Sequence, residues 1–310
     1  MKKKFLIALF GVLLFGLGFG GAMVYRSYRN SKSVVLRFSN EADKVDYDLI
    51  AATDYLTYQF EQNGYKVYRS RFPGEYYHNE ADSAGINVFV RMFSSFYDTR
   101  MNKNAINLYY LHRFSNQYQE EMRGYNGYLS SQKNLLKAFD YRPNVGFLEG
   151  GAVPHELLLP DYQYDVLYIY EQQNDDVINF LSNRYNAKIF NGNRFSRLSV
   201  NEKEKILAQA KIVIYDMEQP YLDDQDYVPY AVYDIISYGR PVMTNYKDPL
   251  QRLFGHRVYL YTDYPHMMEI VTKAMAFRTM VREKYAQEAR EILLNKKNDS
   301  FSQFLKNISH

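Results

Sequence analysis

Two acidic residues lie near the start of a helix that is predicted in the second half of the chain. Asp226 precedes a helix predicted over Pro229–Tyr238, and Asp234 lies within it. The amino end of a helix offers unpaired N–H groups and a positive dipole to an anion such as a diphosphate. Carboxylates facing the same pocket accept hydrogen bonds from sugar and ribose hydroxyl groups. The alternative is that Asp226 caps the helix and Asp234 is a solvated surface residue.

Five other candidate residues are predicted at the carboxyl ends of strands, which is where open α/β sheets bind their ligands. One of them is a histidine, and a packed histidine that is merely hydrogen-bonded is the alternative to a site role. Two more end the first strand of the second half, and two follow its second strand. These candidates are His112, Tyr170, Glu171, Gly192 and Asn193.

The elements that position these residues alternate between strand and helix from Val34 onward. Continuous apolar runs such as Ile86–Phe93 are typical of parallel strands buried on both faces. The chain turns near Gly150–Pro154, and a second strand–helix series follows. We therefore predict an α/β protein with two doubly wound, Rossmann-like domains, an N-terminal one at 34–154 and a C-terminal one at 155–310 that includes closing helices. The cleft between them is the expected ligand site.

An uncharged run, Phe5–Val24, follows three lysines near the amino terminus. Twenty helical residues rise about 30 Å, which is the thickness of the hydrocarbon core of a bilayer. We predict a single transmembrane anchor at 1–25 and a stem at 26–33, as in a single-pass protein of a bacterial inner membrane. Gly20 and Ala22 leave a cleaved signal peptide as the alternative. Positive charges balance on the two flanks, so the side of the soluble part stays open.

The overall composition excludes several classes of protein. The chain of 310 residues has no cysteine, which excludes disulfides, thiolate nucleophiles and cysteine-bound metals. Its net charge of +3 is too small to indicate a nucleic-acid partner. The oxygens of Asp224 and Asp226 would suit a divalent cation such as Mg²⁺, but an acid pair of this kind belongs to a fold with one nucleotide-binding domain rather than two repeated series. We predict neither a metal ion nor a cofactor.

Four segments between Asn201 and Lys273 carry a resemblance to a known family. They are Lys211–Asp216, Val228–Asp234, Ser237–Val242 and Val258–Asp263. This stretch resembles the second domain of a GT-B glycosyltransferase of the group 1 type, and it is most similar to the branch of spore-maturation-type proteins. The resemblance covers roughly a quarter of the chain by this single-sequence comparison, and before it the similarity is architectural.

The resemblance implies an activity and roles for the site residues. A sugar would pass from a nucleotide-sugar to an envelope glycan or a lipid-linked acceptor, as a hexosyl-type transfer that retains configuration in related enzymes. Retaining enzymes of that fold carry two acids separated by seven residues, and Asp226 and Asp234 match this spacing. Asp226 would contact the transferred sugar, and His112 would touch the sugar or acceptor. The implied donor-binding residues are Tyr170, Glu171, Gly192, Asn193, Tyr227, Asp234 and Arg240.

The sequence also departs from the family pattern. Active members have an arginine and a lysine early in the second domain, which neutralise the leaving diphosphate. The corresponding segment here, Glu171–Asp176, contains no basic residue, although Arg240 could substitute. The alternative function is therefore a catalytically degenerate protein that binds a nucleotide-sugar or acts as a scaffold. A periplasmic solute-binding protein is a third interpretation, because it shares two α/β domains around a cleft.

Overall fold

The computed structural model describes residues 32–39, 47–72, 84–90, 105–111, 125–137, 144–217 and 226–308. The predicted membrane anchor and His112 lie outside these residues. Within the described ranges, no helix combines the length and the apolar character that crossing a bilayer requires.

The first sheet has six parallel strands in the order β2-β1-β3-β4-β5-β6 among the described residues. They are β1 (Ser33–Ser39), β2 (Lys66–Phe72), β3 (Ile86–Val90), β4 (Ile106–Tyr110), β5 (Gly127–Ser130) and β6 (Val145–Phe147). Strand β1 therefore begins at Ser33, one residue inside the segment that was predicted as a stem. Helix α1 (Tyr47–Gln62) follows β1, and the short helix α2 (Lys133–Lys137) follows β5.

The second sheet has five parallel strands in the order β11-β10-β9-β7-β8 in the part of the chain that is described. These strands are β7 (Tyr164–Tyr170), β8 (Ala187–Asn191), β9 (Ala210–Asp216), β10 (Val242–Asn245) and β11 (Tyr259–Tyr261). The helices of this half are α3 (Asp175–Arg184), α4 (Gly192–Ser196), α5 (Val200–Ala208), α6 (Tyr230–Ser237), α7 (Asp248–Phe254), α8 (Tyr264–Ala276), α9 (Thr279–Leu294) and α10 (Asp299–Ile308).

Local sequence signals account for most of these boundaries. In α1 the residues at helical spacing, Leu49, Ala52, Leu56 and Phe60, are all buried, as their period predicts. Polar caps mark the starts of several later helices. At α8, for example, the side chain of Asp263 accepts a hydrogen bond from the backbone of the first turn, which offsets an otherwise unpaired N–H group.

In both sheets the third strand of the chain is added on the opposite side of the first strand from the second. The chain goes from β2 back across β1 to β3, and from β8 back across β7 to β9. This places a topological switch point between β1 and β3 and another between β7 and β9, and ligands bind beyond the carboxyl ends of the strands at such points. The prediction of an α/β fold with two parallel, Rossmann-like sheets is confirmed.

The last helix joins the two halves. Helix α10 packs on β6 of the first sheet, and the Phe301 ring meets the Phe60 ring of α1 edge-on at 5.2 Å between centroids. Phe304 approaches the backbone of Gly146 so closely that a Cβ atom there would lie 2.6 Å from its ring. The carboxyl-terminal segment therefore closes over the N-terminal sheet instead of ending on its own domain.

Candidate functional site at the carboxyl edges of the sheets

The carboxyl edges of the two sheets meet at the starts of α1 and α6. Asp48, in the first turn of α1, is completely buried. Its Oδ1 atom accepts a hydrogen bond from the backbone N–H of Ala231 at 3.2 Å, and its Oδ2 atom accepts one from the hydroxyl of Tyr227. A second contact between the domains joins the Tyr110 and Tyr230 hydroxyls at 3.0 Å. The N-terminal domain thus supplies the carboxylate that caps α6.

This arrangement corrects the expected diphosphate site. The amino end of α6 was predicted to offer free N–H groups to an anion, but Asp48 fills that position in this structure. Tyr227 was predicted to bind the donor, yet it is buried and its hydroxyl donates a hydrogen bond to Asp48. A carboxylate and a phosphate compete for the same positive end of a helix, so a diphosphate could bind there only after Asp48 moved away.

Asp234 also joins the two domains. Its Oδ2 atom accepts a hydrogen bond from the hydroxyl of Tyr47 at 2.6 Å, and its Oδ1 atom lies 2.9 Å from Nε2 of His155. The side chain is 15% exposed, so the alternative of a solvated surface residue is wrong. The His155 ring is stacked on Tyr238 at 3.9 Å between centroids. Each oxygen therefore already has one partner, and a ribose hydroxyl would have to use a remaining lone pair of this largely buried carboxylate.

Asp226 lies in the wall of a cavity between the domains, with a volume of about 220 Å³. The loops after β5 and β6 form one side of this cavity. The segment leading into α6, the start of α7 and the residue that follows α9 form the other. Asp226 and Asp234 are therefore both at the junction of the domains, and of the two only Asp226 lines this cavity.

The carboxyl ends of β7 and β8, beside the switch point of the second sheet, bring together three of the predicted donor-binding residues. Tyr170 is the last residue of β7, Glu171 follows it, and Gly192 follows β8. A Cβ atom placed on Gly192 would lie 3.6 Å from the Tyr170 carbonyl oxygen and 3.9 Å from the Glu171 side chain. The N–H of Glu171 donates to the Asp216 carbonyl at 3.0 Å. Asn193 is next along the chain, where its N–H donates to the Asn191 side chain.

Asp216 is a buried acid that the sequence analysis did not select, although it ends one of the segments that carry the family resemblance. Its oxygens accept hydrogen bonds from the hydroxyls of Tyr168 at 2.6 Å and Tyr261 at 2.5 Å, and from the Asn245 amide at 3.3 Å. The side-chain oxygen of Asn245 accepts a hydrogen bond from the backbone N–H of Met217 at 2.8 Å. Asp216 therefore ties together the carboxyl ends of four neighbouring strands. The one signal in the sequence for this role is that Asp216 is an acid at the end of a predicted strand.

Asp216→Asn is expected to reduce the pH dependence of stability. Burial raises the pKa of Asp216 above about 4, the value in an unfolded chain. Between the two pKa values the folded chain binds more protons, so the contribution of Asp216 to the free energy of unfolding falls as the pH rises through that interval. Asparagine does not ionise, and the variant should lose less stability over the same rise in a series of urea titrations. The exposed Asp161→Asn is the control, and equal slopes for Asp216→Asn and the parent chain would contradict the prediction.

Arg240 does not lie at this edge. It precedes β10, at the amino end of the second sheet, and its side chain is completely buried. The guanidinium donates to both carboxylate oxygens of Glu283, at 3.2 and 3.3 Å, and to the Ala210 carbonyl at 2.9 Å. The prediction that Arg240 binds the donor is therefore corrected, because it is a structural residue with no access to the cleft.

The described residues contain no group of three or more acidic or histidine side chains that could hold a metal ion. Asp224, the other half of the acid pair considered above, lies outside those residues, as does His112. Sequence reasoning also missed Tyr47 and Asp48, which hold the two domains together at α6, and His155, which contacts Asp234 and Tyr238 within the C-terminal domain. Their partners are distant along the chain, so no local pattern identifies them.

Comparison with protein-family models and with curated protein sequences gave no match. Among solved structures, the chain is similar to an α-glucosyltransferase in complex with UDP-glucose and DNA containing an abasic site, with a TM-score of 0.55 and 10% identity over 89% of this chain and 99% of that chain. It is also similar to AviGT4, a glycosyltransferase involved in avilamycin A biosynthesis, with a TM-score of 0.50 and 8% identity over 89% and 98%. A match to TarM, at 11% identity and a TM-score of 0.48, covers 74% of this chain and 55% of TarM.

Identities this low concern the fold alone. The two structures with a TM-score of at least 0.50 are matched over nearly their whole length, so the likeness includes both sheets and the junction between them. The chain is therefore a GT-B-like α/β protein, with two parallel Rossmann-like sheets whose carboxyl edges meet at a shared interdomain site.

Proposed function

We propose that the protein binds a nucleotide-sugar between its two domains and transfers the sugar to an acceptor. The observation that carries this proposal is the meeting of the two carboxyl edges. The switch point between β7 and β9 and the cavity containing Asp226 belong to the same edge of the second sheet. Parallel α/β sheets bind nucleotides at such edges. The shared fold with two glycosyltransferase structures agrees with this function.

In this proposal the nucleotide lies at the end of β7 and the sugar lies beside Asp226. Glu171 is partly exposed there, and its carboxylate can accept hydrogen bonds from ribose hydroxyls, although it already accepts the hydroxyl of Tyr215. The absent side chain of Gly192 lets a ligand approach the backbone beside Tyr170. Asp226 would orient a hydroxyl group of the sugar. Asp234 would support the site by fixing α6 against Tyr47.

Gly192→Ala is expected to weaken binding of UDP-glucose by about fivefold or more without destabilising the fold. An added Cβ atom meets no protein atom closer than 3.6 Å, and the backbone does not need a positive φ, so the protein itself tolerates the methyl group. A ligand resting on the Gly192 backbone would be displaced, at a cost of about 1–3 kcal/mol for an overpacked contact.

Isothermal titration with UDP-glucose and with UDP measures this effect, and thermal unfolding checks the fold. Asn183→Ala, an exposed change in the last turn of α3 at the opposite edge of the sheet, is the control and should bind as the parent chain does. Equal affinities in Gly192→Ala and the control would contradict the proposed nucleotide position.

Turnover is tested by the release of free nucleoside diphosphate from a nucleotide-sugar in the presence of a membrane or glycan extract. Asp226→Asn should abolish most of the release while leaving UDP binding intact, because the acid is assigned to the sugar. Nuclear magnetic resonance of the product would show whether the anomeric configuration is retained, as the resemblance implies. Release by Asp226→Asn at the rate of the parent chain would refute its catalytic role.

A second candidate is a GT-B-like protein that binds a nucleotide-sugar without transferring it. The observation in its favour is Asp48, which takes the helix end that the transfer mechanism would offer to the leaving diphosphate. The absence of a basic residue in 171–176 favours it as well. Tight UDP-glucose binding with no diphosphate release, under any acceptor, would support this candidate over the enzyme.

The cellular setting belongs to the same proposal. We propose that the apolar run Phe5–Val24 anchors the protein in a membrane and that the acceptor is an envelope glycan or a lipid-linked sugar, in keeping with a place in the spore-maturation-type branch. Fractionation of cells should recover the chain with its amino terminus intact in the membrane pellet. A chain beginning after Ala22 in the soluble fraction would instead indicate a cleaved signal peptide.

A further inference from the structure

The interdomain cavity has a size that suits a single small ring. Its volume of about 220 Å³ exceeds the roughly 150 Å³ of a cavity that holds benzene, and it is below the range of about 300–1,000 Å³ that is typical of sites for drug-sized ligands. It can therefore hold one sugar ring with a substituent.

Three cationic side chains from three different elements line this cavity. Lys133 begins α2, Arg252 lies in α7, and Lys296 follows α9. Lys296 is engaged, because its Nζ atom lies 3.1 Å from the Glu149 carboxylate and donates to the Gly150 carbonyl at 3.0 Å. Lys133 and Arg252 are exposed, and among the described residues neither has a carboxylate within ion-pair distance. The Lys133 ammonium lies over the Phe147 ring at 4.9 Å, a contact that leaves its charge uncompensated, so both cations can serve an anion in the cavity.

The remaining lining suits the uncharged part of a sugar. The Glu149 carboxylate is 41% exposed, so it can accept hydroxyl groups while it stays paired with Lys296. Asp226 contributes a second carboxylate. Phe147, half-buried, and the edge of the buried Tyr233 complete the apolar part of the lining.

We infer that this cavity binds a sugar phosphate, with Lys133 and Arg252 as the counterions of the phosphate group and with Glu149 and Asp226 as acceptors for the ring hydroxyls. The inference deepens the proposed function, on which it rests, by naming the group that enters this part of the cleft. The phosphate belongs either to the donor or to a phosphorylated acceptor. It also gives the protein basic groups near the reaction site that the segment 171–176 does not supply.

The test is a titration of the full chain with glucose 1-phosphate, with free glucose as the uncharged comparison. Glucose 1-phosphate should bind, and glucose should bind at least about tenfold more weakly because it has no charge-assisted hydrogen bonds. Arg252→Gln and Lys133→Gln should each weaken glucose 1-phosphate by about tenfold and reduce the salt dependence of binding. Arg184→Gln and Lys306→Gln, which remove exposed cations elsewhere, are the matched controls.

Competition identifies the source of the phosphate. Displacement of glucose 1-phosphate by UDP-glucose would assign the group to the donor, and simultaneous binding of both would assign it to an acceptor. The inference is overturned if glucose 1-phosphate does not bind, or if Arg252→Gln and Lys133→Gln bind it as the controls do. If UDP-glucose binding responds to Gly192→Ala in the same preparations, that failure concerns the cavity and leaves the proposed function standing.

Discussion

Asp48→Ala is expected to lower the free energy of unfolding by about 3 kcal/mol, because it removes the acceptor for two buried donors. The N–H of Ala231 and the hydroxyl of Tyr227 both donate to this carboxylate, and both residues are buried. Asp48→Asn keeps one acceptor oxygen and should lose less stability than alanine. Urea unfolding monitored by circular dichroism measures both changes.

The control for this prediction lies on the same helix. Asp54 is an aspartate of α1 whose side chain is 40% exposed, and it pairs with Arg69 at 2.6 Å. An exposed ion pair contributes about 1 kcal/mol or less, so Asp54→Ala should have a small effect. If Asp48→Ala and Asp54→Ala cost the same, Asp48 does not cap α6 in solution. Because Asp48 belongs to one domain and α6 to the other, its loss should also make the two domains unfold less cooperatively.

Glu283→Ala is expected to cost about 3–5 kcal/mol, which is the range for removing one partner of a buried ion pair. The Arg240 guanidinium has no access to water, and the Glu283 carboxylate accepts hydrogen bonds from both of its terminal nitrogens. The same carboxylate accepts the hydroxyl of Tyr162, so alanine leaves that group without its partner as well. Thermal and urea unfolding of the purified variant measure the loss.

Glu288→Ala provides the comparison for Glu283→Ala within the same helix, α9. Glu288 accepts a hydrogen bond from Arg257 at 2.7 Å, but both side chains of that pair are 31% exposed, so its loss should cost about 1 kcal/mol or less. Similar losses for Glu283→Ala and Glu288→Ala would contradict the structural role assigned to Arg240. If Glu283→Ala instead lost nucleotide binding at unchanged stability, Arg240 would have to be assigned to the nucleotide site.

The secondary structure was largely predictable because its signals are local. The apolar period of α1, the continuous apolar strands and the Asp263 cap each depend on residues within a few positions of one another. Their alternating order then limits the topology to two doubly wound sheets, since parallel strands need crossover connections. The structure confirms this architecture, and His112 stays a prediction because it lies outside the described residues.

The site was only partly predictable. Tyr170, Glu171 and Gly192 do lie together at the carboxyl ends of β7 and β8, because the carboxyl ends of parallel strands share an edge of the sheet. Arg240 was misplaced because a charged residue near a strand was assumed to face the cleft, while it precedes the strand and points to the opposite edge. Tyr227 was misplaced because its partner, Asp48, comes from the other domain.

The sequence by itself determined the helices and strands, their order, and the edge of each sheet on which a ligand would bind, since periodicity and capping act over a few residues. The tertiary structure alone decided which group each acid meets. Asp48 and Ala231 are 183 positions apart, and Tyr47 and Asp234 are 187 positions apart, yet each pair forms a hydrogen bond. Such contacts depend on how two domains pack. Packing of that kind is fixed by the shape and burial of whole surfaces, and no short segment of the chain encodes it.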